Sequence, residues 1–551
     1  MFLSLKMNNL LCGPPLPANF WDGLNQKSID SYILDYIRHN EDRVYMINGE
    51  TNEQLTLRQL SEQSLNVATN LQSLGCRSSQ TNVAIFSENH INFMVAHLGI
   101  WLSGSTATTV NCLYTNDELK HAMNIAKPSI LICSLQTYPK AKGILATNQF
   151  VKYLILLDNP PILSTDVLLF SDLSRKSSSK LVPPCVDPND PAQILFSSGT
   201  TGLPKGVLLT HKNIVYMIHM INLACVVLTE YSTYYQLEGK YTLTTLPMFH
   251  AFGMFVNLFT LTLDMTEIFL KRFDEELYLS LIQKYKIKSL FLVPPMVVSL
   301  LKSDLIKQYD LSSVDHIVCG GATLKFSTEK EIVEKLNLNR CQQGYALTES
   351  GTLVTLKHPS SQKVGSCGNV VPGVVGKVID TETSEILGPG QMGELCFNTP
   401  GMMKGYSDDP EATASAIRDG WLHTGDLGYY DEDGDFFVVD RLKELIKYKA
   451  YQVAPAELEA LLIKHPEIKD AGVIGVPDDA AGELPTAFVV RKPQSSISEN
   501  DLKQYVSDKV SPHKWLRGGV RFVDEIPKNS SGKILRRKLR ELAANEITCK
   551  Y

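Results

Sequence analysis

What the sequence lacks narrows its possible functions first. There is no basic excess: 53 Lys and Arg stand against 59 Asp and Glu, a net charge of -6 over 551 residues. Without such an excess, the chain has no general means of holding nucleic acid or an anionic membrane. Cysteine is sparse, with eleven residues scattered from Cys12 to Cys549 in an odd total and with no close pair. That excludes a dense disulfide framework, gives no sequence spacing for a zinc site, and points to a reducing compartment. The N-terminal segment has only short apolar pieces broken by Lys6, Asn8 and Asn9, unlike a secretory signal. Long apolar runs are also missing. Two stretches free of Asp, Glu, Lys and Arg, residues 89–116 and 241–263, are interrupted by residues such as Asn92, His97, Pro247 and Asn257. These polar groups would need partners in lipid, so both stretches read as buried strands, loops and helices.

What is present is ordinary globular material. The hydrophobic fraction is 44% and the charged fraction 20%, which excludes disorder as the main state. At roughly 150 residues per domain the length suggests three or four folding units. Short β-rich apolar runs at 82–86, 130–133, 152–157, 289–293 and 316–319 alternate with helix-period segments such as 56–74 and 116–126. This alternation predicts α/β layers with largely parallel sheets. From about Val364 to Val439 the strands are short and glycine is frequent, which suggests a β-rich section such as a small barrel. After Asp440 a smaller unit is expected. It has a helix opening at Ala454-Pro455, a strand over 472–476, and a helix from Ser498 with Asp501 placed for a capping box. Residues 176–190, rich in Ser, Lys and Pro, read as an exposed loop.

One decapeptide carries chemistry. Ser197-Ser198-Gly199-Thr200-Thr201-Gly202-Leu203-Pro204-Lys205-Gly206 combines three glycines, four hydroxyls and a lysine. Exposed backbone N–H groups, hydroxyls and one ammonium together suit phosphate oxygens. It is not a Walker A loop, because Gly206 follows Lys205 and residues 207–210 read as a strand. From composition alone, a phosphate loop and a flexible hairpin both remain open.

The segment ILFSSGTTGLPKGVLLTH (194–211) resembles the phosphate-loop signature of the acyl-adenylate-forming (ANL) superfamily. This group includes acyl-CoA synthetases, 4-coumarate–CoA ligases and beetle luciferases. PMFHAFGM (247–254), CGGA (319–322), QGYALTE (343–349), GWLHTGDLGYYDEDGDFF (from 420), DRLKELIKYKAYQVAPAELE (from 440) and PKNSSGKILRR (from 527) continue the match in order. The resemblance implies a large N-terminal adenylation part, residues 1–440, with two α/β sheets and a β-barrel. A small mobile α+β C-terminal domain, residues 441–551, would follow. It also implies a two-step reaction. A carboxylate attacks the α-phosphate of Mg-ATP to give acyl-AMP and pyrophosphate, and a thiol, usually that of CoA, then displaces AMP.

By the same resemblance, Ser197, Ser198, Gly199, Thr200, Thr201, Gly202 and Lys205 would cradle the triphosphate. Glu349 would hold Mg²⁺, with Thr348 on phosphate. Asp426 would accept the ribose hydroxyls, and Gly320, Gly321 and Tyr345 would flank adenine. Arg441 would reach ribose or phosphate. Lys533 would stabilise the adenylation transition state. His250 would gate the path between the acid and CoA sites, and Lys447 with Gln452 would serve the second step after rotation about Lys443. The acyl pocket would comprise His250, Phe252, Ala322, Ala346, Leu347 and Leu353.

Two alanines depart from the pattern. Ala346 and Ala450 replace glycines where backbone should approach a ligand, so each would narrow a channel or demand a positive φ that alanine resists. By the same resemblance, Thr352 and Leu353 fall where luciferases place smaller residues against luciferin, and residues 226–241 lack the arginine luciferases use in their pocket wall, which implies an aliphatic or less bulky acid. The leading reading is therefore a fatty- or aryl-acyl–CoA ligase acting on an acid, ATP and CoA. A luciferase-type monooxygenase and a binder without turnover are the alternatives. The C-terminal Cys-Lys-Tyr is similar to a peroxisomal tripeptide, and a peroxisomal or cytoplasmic location is expected.

Overall fold

Apolar periodicity and capping decide the elements. Leu57–Ser73 buries Leu57, Leu60, Ser64, Val67, Ala68 and Leu71 along one stripe, and Thr56 with Gln59 closes a capping box at its start. Asn116–Ala126 is capped the same way by Thr115 and Glu118. The short apolar runs are strands: Asn82–Phe86, Ile130–Cys133, Tyr153–Leu156, Ser289–Leu292 and His316–Cys319. These elements come from a computed structural model. It describes residues 5–7, 9–16, 27–160, 167–175, 181–182, 184–197, 204–220, 240–322, 324, 326–351, 353–358, 361, 363–448, 451–478, 481–510, 512–528 and 532–548.

The first sheet has eight strands, from Gly405–Tyr406 through Lys205–Thr210, Pro191–Ser197, Thr106–Val110, Asn82–Phe86, Ile130–Cys133 and Tyr153–Leu156 to Leu168–Leu169. It is parallel from Pro191–Ser197 onward and antiparallel at the other edge. A second, nine-stranded sheet runs from Asn369–Val370 to Gln54–Thr56, with His316–Cys319 and Arg340–Ala346 near its centre. The two uncharged stretches supply the buried helices Phe93–Leu102 and Ala251–Thr262 and the strands Thr106–Val110 and Tyr241–Thr244. Among the described residues, no helix is long and apolar enough to cross a membrane.

The β-rich section corrects one expectation. Its strands, Leu5–Met7, Leu10–Cys12, Val375–Ile379, Gly393–Asn398, Trp421–Tyr430, Ile417–Arg418 and Phe436–Arg441, form a seven-stranded antiparallel sheet whose described edges do not pair. It is an open sheet, not a closed barrel, because its ladder ends at Leu5–Met7 on one side and at the short hairpin arm Ile417–Arg418 on the other.

The C-terminal part builds its own core. One hydrophobic cluster extends from Leu11 to Val438, and another begins at Ile446 and ends at Phe522. The smaller unit is a five-stranded sheet with the helix Pro455–Ile463 and the Ser498-capped helix Glu499–Ser507. A third cluster, with Ile474, Phe488, Ile526 and Leu539, covers the sheet's other face. The large α/β part and the small α+β domain have the expected fold classes.

One buried ion pair braces the turn after His316–Cys319. Lys357 Nζ lies 2.6 Å from Glu329, both almost wholly buried. Gln343 donates to Glu329 (2.7 Å) and accepts from the Leu324 amide (2.9 Å). Removing one partner of such a pair leaves a bare buried charge. Lys357→Met is therefore expected to lower unfolding stability by about 3 kcal/mol, measured by urea denaturation. The double variant Lys357→Met/Glu329→Leu should recover most of it.

Candidate active site

The phosphate-loop motif forms a hairpin base. Pro191–Ser197 and Lys205–Thr210 pair antiparallel, with Ser197 opposite Lys205. Ser198, Gly199, Thr200, Thr201 and Gly202 lie outside the described residues. At the base, Lys205 places its ammonium 4.8 Å from the Tyr406 ring centre and 3.9 Å from Asp409. The Tyr406 hydroxyl in turn donates to Glu349 (2.9 Å). Thr348 and Glu349 sit in the single turn Thr348–Ser350 after the strand Arg340–Ala346, and the Glu349 carbonyl accepts from the Met403 amide (2.9 Å). Lys205 and the Thr348–Glu349 turn, distant in sequence, are therefore linked through Tyr406. Tyr406 and Asp409 were not anticipated. Their only sequence signal is a Gly–Tyr pair followed by acidic residues, a pattern common in turns.

Asp426, Arg441 and Tyr345 also converge. Asp426 and Arg441 face each other across the strands Trp421–Tyr430 and Phe436–Arg441. Arg441 Nε lies 3.0 Å from Asp426 Oδ1, and the Tyr345 hydroxyl donates to Oδ2. Both carboxylate oxygens thus already hold a donor, and an incoming hydroxyl must use their second lone pairs. Burial pushes the Asp426 carboxyl up against the opposing charge of Arg441. Gly320 and Gly321 follow the strand His316–Cys319, and a side chain at Gly320 would come 3.2 Å from the Phe252 ring. The Gly320–Gly321 turn and Phe252 are therefore neighbours. Ala322 is half-buried beside them in sequence.

His250 caps the helix Ala251–Thr262. Its Nδ1 accepts from the Phe252 amide (3.3 Å), and burial lowers its pKa, so the ring is neutral with its proton on Nε2. Leu353 stands opposite Ala346 and lies where a side chain at Gly344 would go. Ala346 itself is exposed and its φ is not positive. The expected backbone conflict at Ala346 is absent, because this residue continues the strand Arg340–Ala346. Leu347 is half-buried, its amide donating to Ser350. Ala450 and Thr352 lie outside the described residues.

Lys533 belongs to the small domain, yet it senses Arg441, Glu444, Asp426 and Arg536 electrostatically. Burial, and then the Arg441 charge, lower its pKa to about 8. Its approach is held from both sides. Gly532 has φ +80° and leans on Pro295 of the helix Pro294–Lys302. Buried Arg536 pairs with Glu444 (2.6 Å) and Glu459 (2.8 Å). Glu444 is in the turn Leu442–Glu444 together with Lys443. Lys447 is brought to a different place: it is exposed on Ile446–Tyr448, its amide donating to Glu483 (2.8 Å). Gln452 is its register partner on Tyr451–Val453.

The comparisons agree with this geometry. Residues 35–407 match the AMP-binding enzyme family and residues 457–533 the AMP-binding enzyme C-terminal domain. The chain is 38% identical to a luciferin 4-monooxygenase of Photuris pensylvanica, over 98% of both chains. It is 37% identical to 4-coumarate-CoA ligase 1 of Narcissus pseudonarcissus, over 94% of both. The structure of ATP-bound MatB from Rhodopseudomonas palustris superposes with a TM-score of 0.82 at 26% identity, covering 94% of this chain and 99% of that one. With both family domains matched in order and full-length relatives among 4-coumarate-CoA ligases, the chain belongs to the AMP-binding, acyl-adenylate-forming enzymes.

Proposed function

We propose that this chain is an acid–CoA ligase that joins a fatty or aryl carboxylic acid to CoA through an acyl-adenylate. The observation that supports the reading is the Asp426–Arg441–Tyr345 cluster of the large part, with Lys533 of the small domain within electrostatic reach of Asp426 and Arg441. Adenylation brings two anions together, so its transition state needs preorganised positive charge. Lys533 and Arg441 would supply it at the α-phosphate, and Lys205 at the outer phosphates. Asp426 would hold the ribose, Gly320, Gly321 and Tyr345 the adenine, and Thr348 a phosphate oxygen.

Glu349 would hold Mg²⁺. A carboxylate suits that hard cation, and Tyr406 fixes its orientation through one oxygen. Bound there, the ion would draw charge from the triphosphate. His250, neutral with Nε2–H, would stand between the acid and CoA paths, and Phe252, Ala322, Ala346, Leu347 and Leu353 would line the acyl pocket. The boundary falls between 440 and 441, and rotation about Lys443 would exchange Lys533 for Lys447 and Gln452 before the thiol attack. The ordinary backbone at Ala346 favours turnover over a binder without activity.

Incubation with ATP, CoA and acids of graded length and aromaticity tests this reading. Acyl-CoA by mass spectrometry is the expected product; acyl-AMP that accumulates without thioester contradicts it. The full-length likeness to luciferin 4-monooxygenases supports a second reading, oxidation of the adenylate by O₂, and light emission with luciferin would establish that instead.

The state of Lys533 sets a pH dependence. With its pKa lowered to about 8, the ammonium that adenylation requires is lost as pH rises through that value. Single-turnover adenylate formation is expected to hold level between pH 6.5 and 7.5 and to fall about tenfold per unit well above 8. A flat profile to pH 10 would remove Lys533 from this role.

A further inference from the structure

A cluster outside the proposed chemistry lies behind the turn that carries Asp426. Glu394 and Cys396 are two residues apart on Gly393–Asn398, so they share a face of the strand. His423, on Trp421–Tyr430, is the register partner of Cys396. Cys396 and Glu394 are buried, and the His423 side chain is only 11% exposed.

Three groups converge on the single atom His423 Nδ1. Glu394 Oε2 lies 3.0 Å away, Cys396 Sγ 3.4 Å and Arg418 Nη2 2.5 Å. Arg418 Nη2 also lies 3.5 Å from Glu394 Oε2, so its guanidinium is the positive charge now set against both the carboxylate and the imidazole lone pair. The thiol sulfur, the imidazole nitrogen and the carboxylate oxygen each carry a lone pair that a metal cation would take in its place.

The spacing suits one. With zinc-to-ligand distances of about 2.0–2.3 Å, the edges of a coordination tetrahedron are roughly 3.3–3.7 Å. The three donor atoms lie within 4.8 Å of one another.

We propose that Glu394, Cys396 and His423 form a binding site for a zinc-type divalent cation. Cys396 gives up its thiol proton to solvent on binding. The carboxylate and thiolate then neutralise the 2+ charge, and water takes the fourth position as half-exposed Arg418 swings out. The other oxygen, Glu394 Oε1, keeps the Gly425 amide (3.0 Å). The ion would therefore brace the Thr424–Gly425–Asp426 turn from behind without touching nucleotide. The linear spacing of the cysteines hid the site, because its ligands come from two strands and three residue types.

Cobalt(II) titration of the full-length protein tests the proposal. One equivalent is expected to give a thiolate-to-cobalt charge-transfer band with the visible bands of a four-coordinate ion, and zinc should displace it. The signal should disappear in Cys396→Ser and weaken at least tenfold in affinity in His423→Gln. Zinc should raise the melting temperature of the wild type but of neither variant. No charge-transfer band, or one unchanged in both variants, would overturn the site. If Cys396→Ser does not fold, His423→Gln, at a partly exposed position, decides alone.

Discussion

Lys533→Ala is expected to slow acyl-adenylate formation by at least a hundredfold while still converting supplied acyl-adenylate to thioester. The magnitude follows from removing one preorganised donor, about 3 kcal/mol, from a partly buried cluster where charge develops. Lys533 is partly buried, so the variant's melting temperature is measured alongside to confirm that it folds. Lys447→Ala is expected to do the reverse, because that lysine stands exposed on Ile446–Tyr448 while Lys533 faces the site. Rapid-quench assays of each half-reaction separate the two. Equal loss of both steps in both variants would count against alternation of the small domain.

Gly532→Ala is also expected to impair adenylation, for a different reason. At φ +80°, an added Cβ strains the backbone by about 1 kcal/mol. More decisively, it would fall 1.9 Å from the Pro295 ring, which no rotamer change can relieve. The conflict is between the two domains, so the small domain should keep its fold while losing this docked position. Adenylation should fall at least tenfold, thioester formation from supplied adenylate should persist, and the melting temperature should stay near wild type. Unchanged adenylation would mean that the docked arrangement is not the one that works.

These two variants also mark the limit of sequence reading. Lys533 is singled out by SSGKILRR, which sits in an ordered series of motifs. Gly532 beside it reads as a flexible loop glycine until Pro295, more than two hundred residues away, is seen against it. Local signals were reliable where period and capping act within a few residues: Asn82–Phe86, Asn116–Ala126 and the Ser498 capping box fell where expected. The β-rich section was recognised from its glycines and short strands, but closure depends on whether distant edges pair, and no local residue reports that. The same holds within the site. Glu349 and Lys205 were named from motifs, whereas Tyr406, which lies between them, and the Glu329–Lys357 brace arise only from tertiary contacts.

Acid-dependent exchange of labelled pyrophosphate into ATP tests the central claim most directly, because it needs the adenylation half-reaction and nothing after it. Exchange that requires one of a panel of aliphatic and aryl acids, proceeds without CoA, and drops by at least a hundredfold in Lys533→Ala is the expected result. No exchange with any acid by a folded, ATP-binding protein would contradict it.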